Sequence, residues 1–525
     1  MLRSWSEVAA NRVSPAPGQR RARARDRSGA SRLPSIPVRL FAVMAFALLA
    51  VSLAISAATL GQENFWVDEL SSLYFSDPTY SLREIATRIW PLETNPPLYY
   101  LLLYLWRHVI PGTDEVSIRA ASLLPAALAC LSPLLYTSRV MRLERRLAVM
   151  ALLSCSPGLL YFAGEARGYT LVMLFSVNLC FRLLSAVRTL RTGAGNLGVE
   201  VALLSLLSVA AAWTHFFGIV LAASAFPILV VAALVLRRSI GLVVVAAALT
   251  ALAATIWPLS QWSYIHEITG DHWFLSLSGE SMLAATKWFA HLAFGGQWSV
   301  LAAGALGLAA LVWTWNPRVS NKELLLALLA LFFAWVIGLS LYVPIFDARY
   351  FVVALPPIYM LVAEAIGDAA ERLSARPALL QLGLVLPLAA SFATRWPAVE
   401  PPDREDWRAP AQVVNETPGC AGAPIFMLAQ PRDNGDSAFL YGHYLDPSLG
   451  VRLIPVDASE PIDPATRQDV WDSGCAVKVW ATHILLWKLT HLAAAFAEFP
   501  PGFRLVPFRG GFLMLADGPD PVAKQ

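Results

Sequence analysis

Two adjacent carboxylates, Asp68 and Glu69, follow the aromatic pair Phe65 and Trp66 a few residues after the first long apolar segment. A carboxylate near a membrane surface can act as the general base that accepts the proton of an attacking hydroxyl group. The alternative is that the two carboxylates lie in a solvent-exposed acidic loop and have no catalytic role. We take Asp68 as the candidate base and Glu69 as its neighbouring catalytic carboxylate.

Other short segments beside apolar runs also place polar, charged and aromatic side chains together. The side chains with suitable chemistry are Asn95, Glu165, Arg167, Tyr169, His215, Arg349 and Tyr350. Arginine offers a planar, permanently charged group that binds phosphate, and Glu165 has oxygen atoms that can bind a divalent metal. The alternatives are a helix cap for Asn95, an ion pair between Glu165 and Arg167, and anchoring at the membrane interface for the others.

The composition indicates that these segments belong to a membrane protein. Of the 525 residues, 57% are hydrophobic and 15% are charged, whereas a soluble globular protein carries about 25% charged residues. A membrane-spanning helix needs about 20 apolar residues. Eleven segments qualify or nearly qualify, namely 38–60, 118–138, 147–163, 169–187, 198–214, 217–236, 240–259, 298–315, 323–343, 351–367 and 377–394.

Arginine and lysine residues predict how these spans are oriented. The basic tail, residues 1–37, is expected to be disordered and to lie in the cytoplasm. Five basic clusters then fall on that same side, namely 139–146, 188–191, 237–238, 318–322 and 372–376. The opposite loops, which contain or border all the candidate residues, are 61–117, 164–168, 215–216, 260–297 and 344–350.

Two shorter apolar stretches on the opposite side are predicted not to cross the membrane. Residues 97–110 span only about 14 residues, which is short for a membrane-spanning helix. A crossing here would also place every later basic cluster on the wrong side, so a juxtamembrane or re-entrant helix is expected. Residues 281–294 show apolar residues at helical spacing and are expected to form an amphipathic helix on the outer surface.

The composition changes at about residue 398, where charged residues, Gly and Pro return. Short apolar runs at 424–428, 451–456, 477–480 and 511–515, with helix-like stretches near 407–416 and 436–445, predict a small α/β domain. The odd number of spans places this domain outside the cytoplasm. There, Cys420 and Cys475 either form a disulfide or remain reduced, whereas Cys130, Cys155 and Cys180 lie in apolar runs and are expected in the core.

One reaction fits the candidate side chains, namely the transfer of a sugar from a polyprenyl phosphate. A carboxylate would deprotonate an acceptor hydroxyl, which attacks the anomeric carbon, while arginine, with or without a divalent metal, would stabilise the departing phosphate. The lipid part of such a donor explains why the site would lie at the membrane.

The sequence resembles the bacterial membrane glycosyltransferases of the GT-C superfamily, in the branch (glycosyltransferase family 39-like) that includes protein O-mannosyltransferases and aminoarabinose transferases. The resemblance covers about residues 38–410. It is carried by Asp68-Glu69, Asn95 to Tyr100, Glu165 to Tyr169, Arg349-Tyr350, and Glu405 to Arg408. One departure is Gly168, where many relatives carry a larger residue such as methionine, and the expected consequence is a change in pocket size.

The resemblance implies spans around an outer-facing cavity with juxtamembrane helices beneath it. It also implies a role for each candidate residue. Asp68 would be the catalytic base, and Glu165 would help to hold a divalent metal or the acceptor. Arg167 and Arg349 would face the donor phosphate. The pocket would be lined by Tyr169, His215 and Tyr350.

The sequence therefore predicts a polytopic α-helical membrane protein with about 11 spans and a small C-terminal α/β extracytoplasmic domain. The predicted divisions are 1–37, 38–397 and 398–525. The predicted function is inverting transfer of a glycosyl group from a polyprenyl-phosphate-linked sugar to a hydroxyl of a lipid, glycan or protein acceptor, at the outer face of a bacterial inner (plasma) membrane. The alternatives are a transporter or flippase of lipid-linked sugars and a non-catalytic membrane scaffold with an outer binding domain. No basic face indicates nucleic-acid binding.

Overall fold

The computed structural model of the chain describes residues 35–263, 279–295, 320–342, 345–374, 376–393, 404–428, 436–456, 462–482 and 502–516. These residues divide into two compact units. Unit 1 contains residues 35–59, 94–99 and 119–393, and unit 2 contains residues 60–93, 100–118 and 404–516. Composition alone divides the chain near residue 398. In the structure, residues 60–93 and 100–118 also belong to the unit that contains the C-terminal region.

The longer helices of the described residues are α1 (Ile36–Thr59), α2 (Val67–Tyr74), α3 (Leu98–Val109), α4 (Glu115–Leu131), α5 (Leu143–Ser154), α6 (Pro157–Ala163), α7 (Tyr169–Thr192), α8 (Leu197–Thr214), α9 (Phe216–Leu236), α10 (Ile240–Ser260), α11 (Gly279–Phe294), α12 (Asn321–Ser340), α13 (Leu355–Leu373), α14 (Pro377–Ala393), α15 (Arg408–Glu416), α16 (Asp436–Gly442) and α17 (Pro464–Asp472). A 3-10 segment, Ala348–Ala354, leads directly into α13.

Within the described residues, eight helices are long and apolar enough to cross a membrane, or nine if the bent pair α5 and α6 forms one span. The chain is therefore a multi-pass membrane protein, as its composition predicts. Most predicted spans match a helix to within a few residues. The predicted span 377–394 corresponds to α14, whose apolar part is shorter than a full span, and the predicted span 298–315 lies outside the described residues.

The predicted span 147–163 is broken in the structure. Helices α5 and α6 meet at an angle of 55°. The break occurs because Pro157 has no backbone N–H to continue the hydrogen-bond ladder, and Ser156 instead caps the new helix by accepting a hydrogen bond from Leu159 N–H at 3.3 Å. Helix α3 and helix α11 occupy the two stretches that were predicted as non-spanning helices, and α3 has only 12 residues.

Residues of two predicted basic loops, 139–146 and 318–322, pair with acidic side chains of helix α13 in unit 1. Arg142 pairs with Glu371 at 2.8 Å, Arg145 forms an ion pair with Glu364, and Lys322 pairs with Asp368. Near the C-terminal end of helix α7, Leu190 O accepts a hydrogen bond from Arg238 at 3.0 Å. The clusters at 188–191 and 237–238 therefore meet at the C-terminal end of α7, and Arg191 lies close enough to Glu323 to interact with it electrostatically.

Unit 2 contains a five-stranded sheet. Its strands, in chain order, are β1 (Pro424–Leu428), β2 (Arg452–Val456), β3 (Val477–Thr482), β4 (Phe503–Phe508) and β5 (Gly511–Ala516). The strand order is β2-β1-β3-β5-β4, with β1 parallel to both β2 and β3, and with β5 antiparallel to both β3 and β4. Strands β1 and β3 are fully buried, whereas the edge strands are partly exposed.

The sheet confirms the predicted small α/β domain, and four of its strands correspond to the predicted runs. Strand β4 was not predicted, because its half-exposed sequence contains Pro507 and lacks a continuous apolar run. Tyr441 packs edge to face against both Trp407 and Trp480, with ring centroids 5.0 and 4.9 Å apart. Cys420 and Cys475 form a disulfide that ties the segment before β1 to the segment before β3.

Candidate functional site

Three loops of unit 1 bring predicted site residues together at the N-terminal end of α7. Tyr169 begins α7, His215 separates α8 from α9, and Tyr350 lies in the 3-10 segment before α13. The ring of His215 lies 5.5 Å from the ring of Tyr169 and 5.2 Å from the ring of Tyr350. Phe217 lies 5.2 Å from Tyr350. We refer to Tyr169, His215, Phe217 and Tyr350 as the aromatic cluster.

His215 is held in a defined orientation within the aromatic cluster. Its Nδ1 atom accepts a hydrogen bond from the backbone N–H of Phe217 at 3.2 Å, which caps helix α9. The imidazole is therefore neutral, with its proton on Nε2. Burial, together with the positive charge of Arg167, lowers the pKa of His215 to about 3. Arg167 is thus close enough to act electrostatically on the cluster.

The turn that carries Glu165 and Arg167 packs tightly against its neighbours. Glu165 is 1% exposed, and its backbone oxygen accepts a hydrogen bond from the Ser122 hydroxyl at 2.6 Å. That hydroxyl is also 2.9 Å from the Tyr99 hydroxyl. A Cβ atom on Gly168 would lie 3.1 Å from Thr214 and 3.2 Å from Tyr99. Glycine at this position therefore permits close packing of the turn on α3 and α8.

Arg349, a predicted phosphate ligand, is paired with Asp347. Its Nε and Nη2 atoms donate to Asp347 Oδ2 at 3.0 and 2.9 Å, and its backbone N–H donates to Asp347 Oδ1 at 2.9 Å. Both side chains remain partly exposed, at 31% for Arg349 and 16% for Asp347. The guanidinium group is therefore oriented by a neighbour two residues away, while part of it still meets solvent.

Asn95 lies in the turn that precedes helix α3 and is half-buried. The helix begins at Leu98, so the two prolines after Asn95 lie at its start, where a missing backbone N–H costs no helical hydrogen bond. The neighbouring Thr94 oxygen accepts a hydrogen bond from Trp257 Nε1–H at 3.0 Å, which joins this turn to the end of α10.

The predicted catalytic carboxylates, in unit 2, differ sharply in their environment. Both lie in the first turn of helix α2, where acidic residues interact favourably with the helix dipole. Glu69 is fully buried, and its Oε2 atom accepts a hydrogen bond from Trp66 N–H at 3.4 Å. Asp68 is partly exposed. Of the two carboxylates, Asp68 is therefore the one that is accessible at the protein surface.

Two side chains from the C-terminal region of unit 2 also contact the segment before Asp68. Tyr444 Oη accepts a hydrogen bond from Phe65 N–H at 2.8 Å. Glu405, which is 5% exposed, accepts one from Val67 N–H at 3.3 Å. The residue Glu405 carried part of the family resemblance, but no sequence pattern pointed to Tyr444.

Sequence analysis also did not single out the polar groups buried in helix α4 near the turn of Glu165. Arg119 is only 2% exposed and Ser122 is fully buried. Both lie in or next to a predicted span, where a charged side chain is costly unless it has a specific role. An arginine in an otherwise apolar segment is the signal that points to this position.

The described residues offer no ready-made metal site. Among them, no group of three or more His, Cys, Asp or Glu side chains is arranged to hold a metal ion. The predicted metal ligand Glu165 is almost completely buried, and His215 uses Nδ1 to cap a helix. A protein metal site needs several convergent donor atoms, and the described residues show no such complete set.

No protein-family model matches the sequence, and no curated protein matches it. Solved structures do match the fold. ArnT from Cupriavidus metallidurans bound to undecaprenyl phosphate aligns with a TM-score of 0.54 and 13% sequence identity, over 90% of this chain and 99% of that chain. The apo state of the same ArnT aligns over the same shares with a TM-score of 0.53 and 14% identity.

The oligosaccharyltransferase of Archaeoglobus fulgidus in its apo form aligns over 91% of this chain and 75% of that chain, at 12% identity. Its TM-score is 0.48. The similarity to ArnT, an aminoarabinose transferase of the GT-C type, confirms the predicted GT-C-like fold. At this level of identity it establishes the fold alone.

Proposed function

We propose that this chain is a glycosyltransferase that moves a glycosyl group from a polyprenyl-phosphate-linked sugar to an acceptor hydroxyl, with inversion at the anomeric carbon. The fold similarity to ArnT supports this proposal, because the matched ArnT structure contains undecaprenyl phosphate. A lipid-linked donor also suits a multi-pass membrane protein, since the reacting phosphate then lies at the membrane surface. We propose the outer face of a bacterial inner membrane as the location, with a cytoplasmic N-terminus.

One observation supports the proposal in addition to the fold similarity. Arg167, Tyr169, His215 and Tyr350 come from three separate loops, yet they meet at the end of unit 1 away from the basic loops. This grouping combines a positive charge, a neutral imidazole with its proton on Nε2, and two phenol groups. The partly exposed Arg167 and Tyr350 can offer charge and a hydroxyl group to a phosphate and a sugar, whereas Tyr169 and His215 are buried beside them.

We assign Asp68 the role of general base. Its carboxylate accepts the proton of the acceptor hydroxyl as the oxygen attacks the anomeric carbon. One carbon–oxygen bond forms to the acceptor, the bond from the anomeric carbon to the phosphate oxygen breaks, and polyprenyl phosphate leaves with the bonding electron pair. A single displacement of this kind inverts the configuration at the anomeric carbon.

The departing phosphate gains negative charge during the reaction. We propose that Arg167 and Arg349 stabilise this charge. An arginine that is already oriented stabilises developing charge without reorganising during the reaction. The contacts of Arg349 with Asp347 favour such an orientation. The buried Glu69 is assigned a structural role in helix α2, since its carboxylate accepts a backbone N–H.

The proposal is tested by transfer of labelled sugar from polyprenyl-phosphate donors in membranes that contain wild-type protein or Asp68→Asn. The substitution keeps the size of the side chain and removes the base, so the rate should fall about 10²–10⁴-fold. Glu84→Gln is the matched control, because Glu84 is an exposed carboxylate of the same loop, and it should transfer sugar at the wild-type rate.

Equal rates for wild type and Asp68→Asn would remove Asp68 as the base. The anomeric configuration of the product, read by NMR, tests the single displacement, and retention of configuration would contradict it. If wild-type membranes transfer no sugar from any polyprenyl-phosphate donor, while the lipid-linked sugar crosses the membrane, a transporter replaces the enzyme as the better interpretation.

A further inference from the structure

We propose that Tyr444 and Glu405 are positioning residues that hold the backbone of Phe65 to Val67 and thereby orient Asp68. This inference rests on the proposed function of Asp68 and adds to it a role for the C-terminal region. Tyr444 and Glu405 lie 379 and 338 residues along the chain from the amides that they bind. All the groups concerned belong to unit 2.

Three consecutive backbone amides before Asp68 donate to side-chain oxygens. Phe65 N–H donates to Tyr444 Oη at 2.8 Å, Trp66 N–H donates to Glu69 Oε2 at 3.4 Å, and Val67 N–H donates to Glu405 Oε2 at 3.3 Å. Asn64 Nδ2 also donates to the backbone oxygen of Glu405 at 3.0 Å. The entry to helix α2 is therefore held on both sides of Trp66 by the C-terminal region.

Helix α2 needs such support because it is short. It has eight residues, and isolated helices shorter than about 12 residues are marginal in water. The first N–H groups of a helix also have no partner within the helix. Because Asp68 directly follows Val67, a change in the backbone at Phe65 to Val67 changes the direction in which the Asp68 carboxylate points.

Tyr444 is itself fixed by charged neighbours. Its hydroxyl donates to Glu115 Oε1, and Arg408 forms an ion pair with the same carboxylate. The hydroxyl therefore donates to Glu115 and accepts from Phe65 N–H at the same time, which uses both of its hydrogen-bonding functions. This arrangement orients the Tyr444 oxygen toward the Phe65 amide.

Glu405 is fixed by the turn between β4 and β5. Asp406 N–H donates to Arg509 O at 2.8 Å. Gly510 adopts a φ of +81°, and a Cβ atom there would lie 2.7 Å from Glu405 Cγ. Glycine is thus required both for the turn conformation and for the close approach of Glu405. The β4–β5 hairpin consequently supports the contact of Glu405 with Val67.

The first test compares the kinetics of Tyr444→Phe, Glu405→Ala and the conservative Glu405→Gln. Loss of one amide contact should lower kcat about tenfold, because small displacements of a catalytic group are costly, while the KM for the donor stays within about twofold. Glu405→Gln keeps an oxygen that can accept from Val67 N–H and should recover most of the lost kcat. Asp469→Asn is the control, since the contact that Asp469 makes within the described residues is an exposed pair with Arg452.

The second test is hydrogen exchange of peptides that cover residues 62–70, with the purified full chain in lipid nanodiscs. Loss of a buried hydrogen bond should speed exchange of these amides by about tenfold in Tyr444→Phe, and Asp469→Asn should exchange like wild type. This measurement needs no substrate, so it stays informative if the proposed glycosyl transfer fails.

The proposal requires both changes together. Unchanged exchange in Tyr444→Phe would overturn it, whether or not the wild type transfers sugar. Faster exchange with an unchanged kcat would also overturn it, because the contact would then be only structural. If Glu405→Ala does not fold, Tyr444→Phe decides the matter, since that substitution removes a single oxygen atom. If the wild type transfers no sugar but exchange is faster in Tyr444→Phe, the proposed glycosyl transfer is refuted. The hydrogen bond from the Phe65 amide to Tyr444 would still be shown to hold this backbone segment.

Discussion

Neighbouring side chains of the same chemical type take different roles in this protein. Asp68 and Glu69 are both carboxylates in the first turn of α2, but Glu69 is fully buried and accepts a backbone hydrogen bond, whereas Asp68 is partly exposed. The side chains of adjacent helical residues point in directions about 100° apart. One of the two therefore faces the interior when the other faces outward.

The ion pair of Arg349 with Asp347 leads to a prediction about donor binding. Asp347→Asn removes the charge that orients the guanidinium group but keeps an oxygen to accept the Arg349 backbone N–H. Ordering a long side chain costs about 0.5–1.5 kcal/mol, so the KM for the donor should rise about three- to tenfold. Steady-state kinetics at varied donor concentration measure this.

A matched control for this prediction is Glu200→Gln, which weakens the pair of Glu200 with Arg182. That pair has a nitrogen–oxygen distance of 3.1 Å and side-chain exposures of 18% and 28%, close to those of Asp347 and Arg349. The control should leave the donor KM unchanged. A lower donor KM in Asp347→Asn would show that Asp347 competes with the donor phosphate for Arg349 instead of orienting it.

The elements of unit 1 are joined at the α7 N-terminal end by very short connections. The turn before α7 is tightly packed at Gly168, because a Cβ atom there would lie 3.1 Å from Thr214 and 3.2 Å from Tyr99. His215 is the single residue between α8 and α9 and caps the second helix. Short connections restrict how the helices can move, so they hold the aromatic cluster in place.

In unit 2, the disulfide joins elements that are distant in sequence, which leads to a stability prediction. Cys420 and Cys475 are separated by 55 residues. A bond that closes a loop of this size restricts the unfolded chain and typically stabilises the folded state by about 2–4 kcal/mol. Replacement of both cysteines by serine should therefore make the sheet region unfold at lower temperature, as measured by limited proteolysis during a temperature series.

The single substitutions Cys420→Ser and Cys475→Ser provide the internal comparison. If the two sulfur atoms are bonded, either single change should destabilise the region about as much as the double change. Additive effects would contradict a disulfide. The bond also agrees with a location outside the cytoplasm, where disulfides persist.

At the scale of the whole molecule, two neutral histidines, the buried His215 and the half-buried His443, predict how stability depends on pH. Burial lowers the pKa of His215 to about 3 and that of His443 to about 4, although Glu115 raises the latter in part. The pKa of an unfolded histidine is about 6.5. Below this pH the unfolded chain binds more protons than the folded chain, so stability is complete above about pH 6.5 and decreases as the pH falls.

At pH 5 each histidine should reduce the free energy of unfolding by about 2 kcal/mol relative to pH 7.5. Thermal unfolding of the purified chain at both pH values measures the loss. The variant His215→Asn/His443→Asn does not titrate in this range, and asparagine can still cap α9. It should lose less stability than wild type between the two pH values, and an equal loss would show that other groups cause the pH dependence.

The sequence by itself determined the membrane-spanning architecture. A run of apolar residues is recognised locally, because each span must satisfy its own backbone hydrogen bonds in lipid. The basic clusters were likewise local features that the sequence shows directly. Strand β4 and the bend at Pro157 were the local features that apolar length alone did not reveal.

Only the tertiary structure decided which candidate residues are accessible, oriented or paired. The sequence placed Asp68, Glu69 and Glu405 among the candidate motifs, but it did not distinguish the partly exposed Asp68 from the buried Glu69. Nor did it indicate Tyr444, whose hydroxyl binds an amide 379 residues earlier. Burial and hydrogen-bond partners depend on segments that are distant in the chain, whereas apolar length and charge are properties of each segment alone.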